Sequence, residues 1–71
     1  MKTLKAKHRD EDIFIHYVSK FLEYALVSRK EDGSGMFKLG ISEIGDVTEQ
    51  ELYSLLREQE LIEQERRKGT H

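Results

Sequence analysis

From Asp10 to Ser28 the apolar residues recur at helical spacing. Phe14, Val18, Phe21 and Ala25 fall on one stripe. Ile15, Leu22 and Leu26 flank it on one side, Tyr17 and Tyr24 on the other. His16, Ser19, Lys20 and Glu23 take the opposite face. The pattern predicts a helix over residues 10–28, with Asp10, Glu11 and Asp12 placed where a helix N-terminus welcomes negative charge. Its apolar arc covers about half the circumference, wider than the seam of a two-stranded coiled coil. Such a helix faces more than one element, or one element and a second chain, so a homodimer fits as well.

A breaker follows. Glu31-Asp32-Gly33-Ser34-Gly35 combines two glycines with Asp and Ser and marks a loop. Met36, Phe37 and Leu39 form a short apolar run that reads as one edge strand. Gly40 and Gly45 bracket Ile41-Ser42-Glu43-Ile44, room for one or two helical turns. Thr48 and Glu51 then form a capping box, with Val47 and Leu52 spaced as its hydrophobic staple. Leu52, Leu55 and Leu56 supply the apolar stripe of the helix that starts there. Its end has two readings. Leu61 falls on the wrong side of a continuous helix, which favours a break near Gln59-Glu60 and a strand at Leu61-Ile62. The strong helix formers of ELIEQERRK and the Glu63/Arg67 spacing instead favour one helix to Lys68. The expected core is Phe14, Val18, Phe21, Leu22, Leu52, Leu55 and Leu56.

The order of these elements resembles a winged helix-turn-helix. Residues 10–28 resemble its first helix, Met36–Leu39 its short strand and Ile41–Ile44 its second helix. Thr48–Gln59 resembles the recognition helix, and Leu61–Glu65 the strand that returns. The resemblance implies a mainly α, winged-helix-like domain with at most two short strands. It also implies a role in regulating transcription, by gripping DNA or another protein. The alternative fold is an α-helical hairpin or bundle. The small helical domain spans residues 10–66, between a basic, flexible arm at 1–9 that is expected to lie outside the core and a tail at 67–71.

Charge changes the picture of the partner. The 71 residues carry a formal net charge of −2, but unevenly. Lys2, Lys5, Lys7 and Arg9 make the N-terminus basic, and Arg66, Arg67 and Lys68 the C-terminus. Residues 10–65 hold 14 acids against 5 bases, a net of −9. An acidic body repels phosphate backbones, so the basic ends are the candidate contacts to an anionic partner. The polar side of the Thr48 helix carries Glu49, Gln50, Tyr53, Ser54, Arg57 and Glu58, a poor set for reading base edges. A protein partner is therefore expected ahead of nucleic acid. Tyr17, Tyr24, Tyr53 and Arg57 are its candidate contacts, because Tyr and Arg are enriched at interfaces.

Candidate chemistry is sparse. There is no Cys to act as a thiol nucleophile. His8, His16 and His71 lack ligand spacing, and Gly33-Ser34-Gly35 lacks the Lys-Ser/Thr of a phosphate-cradling loop. No serine has a suggestive His and Asp context. No enzyme, metal or cofactor is expected. No run approaches the roughly 20 apolar residues of a membrane span, and the basic N-terminus lacks the apolar segment of a signal peptide. The sequence therefore predicts a cytoplasmic, non-enzymatic, protein-binding regulator of bacterial or phage type, with transcription machinery as its expected target. A minimal DNA-binding winged helix is the alternative.

Overall fold

The computed structural model describes residues 3–68, the side chains of Arg67 and Lys68 excepted. Lys2 and His71 lie outside the described residues. The chain forms an antiparallel meander of four strands in the order β1 (Leu4–His8), β2 (Glu11–Val18), β3 (Tyr24–Ser28) and β4 (Phe37–Gly40). A single 3-10 turn, Ile41–Glu43, leads to one long helix, α1 (Glu49–Lys68). At 20 residues, α1 is about 30 Å long.

This architecture replaces the mainly α, winged-helix expectation. Residues 10–28 are two strands and a turn, and the arrangement is not a helix-turn-helix. The reason lies in β2. Ile13 and Ile15 alternate into the core, as strand residues do. A bulge between Ile15 and Tyr17 then adds one residue, so the next inward side chain is Val18. The spacing from Ile15 to Val18 thus imitates a helical step. The β-branched and aromatic content of Ile13-Phe14-Ile15-His16-Tyr17-Val18 suits the pleated, half-buried surface it occupies.

Turns missed in the sequence complete the sheet. The β1–β2 connection is Arg9-Asp10, both at positive φ (51° and 64°), the type I′ twist that matches a right-handed strand pair. In the β2–β3 turn, the Ser19 hydroxyl accepts the amides of Glu23 (2.8 Å) and Tyr24 (3.1 Å), and Leu22 sits at φ 54°. Leu4–His8, expected in a basic arm, instead pairs in register with Glu11–Ile15 as an edge strand, and Ala6 is buried.

Beyond β4 the chain returns to β1. The Lys7 amide donates to the Gly45 carbonyl (2.9 Å), and the Gly45 amide to that of Lys7 (2.7 Å). Gly45 lies five residues past the end of β4, so residues 41–45 carry the chain from β4 back to the β1 edge. The inner face of the sheet holds Ala6, Ile13, Ile15, Val18, Ala25, Val27 and Leu39, which cluster with Leu52 and Leu55 of α1. Phe14, Leu22 and Leu56, expected in the core, are only half-buried, and Phe21 stands exposed.

α1 starts where the sequence places it. The Thr48 hydroxyl accepts the Glu51 amide (3.1 Å), and the Glu51 carboxylate accepts the Thr48 amide (3.1 Å). The helix does not break at Glu60, and Leu61 remains exposed at 55%. Gln59 fixes α1 to the sheet. Its Oε1 accepts the Val18 amide (2.8 Å) and its Nε2 donates to the Val18 carbonyl (2.9 Å). Val18 lies three residues past Ile15, the last β2 residue paired with β1. The buried amide of Gln59 therefore serves the β2 edge where β1 does not reach.

Candidate functional site

The β2–β3 turn, the 3-10 turn and the start of α1 enclose a concavity of about 450 Å³. Its lining includes Phe21, Leu22, Ile41, Ile44, Val47 and Tyr53, with Leu52 below and Glu49 at its margin. Each part is held by a named bond. The Ser19 contacts fold the turn that carries Phe21 and Leu22. The Ile41 amide donates to the Glu23 carbonyl (3.2 Å), tying the end of β4 to that turn. The Gly45–Lys7 bridge fixes the segment between Ile44 and Val47. The Thr48–Glu51 cap orients the first turns of α1, and with them Tyr53.

Two large aromatics stand exposed in this concavity, Phe21 at 77% and Tyr53 at 53%. Beside them Leu22, Ile41, Ile44 and Val47 are half-buried and pack against the core. The Lys20 ammonium lies 5.8 Å from the Phe21 ring centroid. The surface can cover an apolar side chain. Glu49 and the Tyr53 hydroxyl are the polar side-chain groups of that lining.

The residues expected to contact a partner do not converge. Tyr53 lines the concavity, and Arg57 lies one helical turn further along α1, exposed. Tyr17 borders a second groove, of about 460 Å³, with Lys20, Leu56, Gln59 and Ile62. Tyr24 lies on the outer face of the sheet, its ring 4.4 Å from the Lys38 ammonium. Phe21 was missed because helical spacing assigned it to the core. Ile41, Ile44 and Val47 were missed because only the return of the chain to β1 brings them to Phe21.

The basic residues are dispersed as well. Lys5 and Lys7 belong to β1, Arg9 to the following turn and Arg66 to α1. The side chains of Arg67 and Lys68 are outside the described set. Lys7 pairs with Asp12 at 2.8 Å across the strands. The hydrogen bond that the Lys7 ammonium donates to Asp12, and the Asp12 charge, raise the Lys7 pKa, and the same contact lowers that of Asp12.

The histidines have structural partners. The His8 Nδ1–H donates to the Glu43 carbonyl (3.0 Å). His16 Nε2 lies 2.6 Å from the Ser28 hydroxyl, which itself donates to the Lys30 carbonyl. With that proton committed, His16 Nε2 must be the donor. Asp32 has a lowered pKa, chiefly because its carboxylate accepts the Ser34 amide, with the nearby His16 a lesser cause. Ser28, His16 and Asp32 thus lie near one another, but Ser28 is fully buried and its proton is spent on a carbonyl. That geometry braces the β3–β4 loop. Among the described residues no three His, Cys, Asp or Glu side chains are grouped to hold a metal ion. Among them no helix is long and apolar enough to cross a membrane.

No family model, curated protein or solved structure matches this chain. The winged helix-turn-helix resemblance is overturned by the four-stranded sheet and single helix. The expected role in transcription regulation rested on that resemblance and loses its basis with it.

Proposed function

We propose that this chain is a small, non-enzymatic protein-binding module that engages its partner through the concavity at Phe21 and Tyr53. The observation that carries this reading is the pairing of two exposed aromatics over half-buried aliphatics in one concavity. Aromatic anchors in partly desolvated pockets carry much of the energy at protein interfaces. Covering an exposed Phe side chain is worth about 1.5–3 kcal/mol. Charge supports the same class of partner. The net −9 over residues 10–65 opposes a phosphate backbone. The reading places the protein in the cytoplasm, which cell fractionation tests.

The experiment is affinity capture from a nuclease-treated extract of the source cells, with wild type and a Phe21→Asp variant as baits. The reading expects a protein retained by wild type and lost on the variant, with both baits melting alike. Retention that is equal on the two baits, or that disappears with nuclease, overturns it.

A further inference from the structure

We infer that the segment seated in the concavity presents one bulky apolar side chain flanked by lysine or arginine. This inference rests on the protein-binding reading above and narrows it to a class of partner. The floor is aliphatic, formed by Leu22, Ile41, Ile44 and Val47, with Leu52 beneath. Phe21 and Tyr53 stand exposed over that floor, and covering them favours an apolar anchor. A concavity of about 450 Å³ holds one or two side chains of a peptide segment.

The frame around that floor is acidic. Glu49 lines it, Glu23 follows Leu22 in the turn, and Glu43 and Asp46 alternate with the floor residues Ile41, Ile44 and Val47. Glu23, Glu43, Asp46 and Glu49 are all exposed; Lys20 stands by the Phe21 ring, and Lys7, bridged to Gly45, faces Asp46, which leaves four acids against two bases. Residues 41–65 contain eight acids and one base, Arg57, and the end of α1 adds Arg66, Arg67 and Lys68. A segment bearing acids beside its anchor would meet like charge, whereas Lys or Arg would meet complementary charge. A second copy of this chain is a weaker fit, because a symmetric contact would bring the exposed Glu23 and Glu49 of both copies to the same seam.

The test is selection of random peptides displayed on phage against the immobilised protein, with counter-selection on the Phe21→Asp variant. Enriched peptides are then synthesised and titrated against wild type and a Glu23→Lys/Glu49→Lys double variant. The melting curves of both variants are checked first. The expected peptides carry Leu, Ile, Phe or Trp within a few residues of Lys or Arg. Their affinity should fall about tenfold in the charge-reversed variant. It should also weaken as salt rises from about 50 mM to about 500 mM. Peptides that require Phe21 but are neutral or acidic, and are indifferent to charge reversal, overturn the inference and leave the concavity as a binding site. If no peptide distinguishes wild type from Phe21→Asp and the chain does not self-associate through Phe21, the protein-binding reading itself fails. Self-association in sedimentation that Phe21→Asp abolishes, with no peptide enriched, overturns the inference in favour of a second copy.

Discussion

Replacing Gln59 with leucine keeps the side chain's approximate size and removes both of its bonds to β2. The Val18 amide loses an acceptor at 2.8 Å, and its carbonyl a donor at 2.9 Å. Val18 and Gln59 are both buried, so water does not readily substitute. A buried backbone group left unpaired costs about 1–3 kcal/mol. Two on one residue, with some relief from local relaxation, put the loss at about 2–4 kcal/mol. The total stability of a chain this size is on the order of 4–10 kcal/mol, so the variant should approach the edge of folding. Gln59→Glu is the finer probe. Its carboxylate can still accept the Val18 amide but repels the Val18 carbonyl. Burial and that carbonyl should raise its pKa, and the protonated form can donate again. The stability deficit relative to wild type should therefore be largest above the raised pKa and shrink as pH falls through it. Urea unfolding followed by circular dichroism measures the loss, and hydrogen exchange at the Val18 amide localises it. The reasoning is refuted if Gln59→Leu stays within about 0.5 kcal/mol of wild type, or if Val18 exchange is unchanged.

Phe21→Ala should leave the melting temperature nearly unchanged because the ring is exposed, whereas Ile15→Ala should cost about 2–5 kcal/mol. Equal losses in the two variants, read by thermal melts, would remove the strand assignment of β2. Asp12 should titrate below the ordinary carboxylate range, and Lys7→Met should raise it again, as followed by NMR. Because its folded-state pKa is depressed, any stability from this pair is present above the ordinary range and is lost as pH falls through the depressed value. An unshifted Asp12 in wild type would remove the ion pair from solution. Asp10→Gly should stabilise the domain by about 0.5–1 kcal/mol, because Asp10 holds a positive φ in the tight turn. Urea unfolding shows the gain, and destabilisation would argue against that turn.

The C-terminal half was legible because its signals are local. The Thr48–Glu51 cap, the Glu31–Gly35 breaker and the run at Met36–Leu39 each act over a few residues; the first two lie where the sequence puts them, and the strand is Phe37–Gly40, one residue later than the run. The N-terminal half was not, for reasons that lie in particular residues. The bulge at His16 breaks strand alternation and leaves a helical step from Ile15 to Val18. Arg9-Asp10 makes a hairpin turn without the Asn or Gly that usually announces one. Lys20-Phe21-Leu22-Glu23 holds good helix formers, yet the Ser19 hydroxyl turns it. The basic N-terminus became a strand because Leu4 and Ala6 add to the core while Lys5 and Lys7 face outward, as charged residues on edge strands do. Of the candidate site, only Tyr53 was named in advance. The rest depends on long-range pairing, above all Lys7 with Gly45, which no local pattern encodes.

The most direct test of the concavity as a binding surface is a two-dimensional amide NMR titration. The labelled protein is titrated with the captured partner, or with a peptide selected on wild type. The account predicts saturable shifts at Phe21, Leu22, Ile41, Ile44, Val47 and Tyr53, with the outer-face amides of Lys5, Phe14 and Lys38 unmoved. Shifts concentrated on that outer face, or along the groove at Tyr17 and Ile62, with the Phe21 region silent, would contradict it.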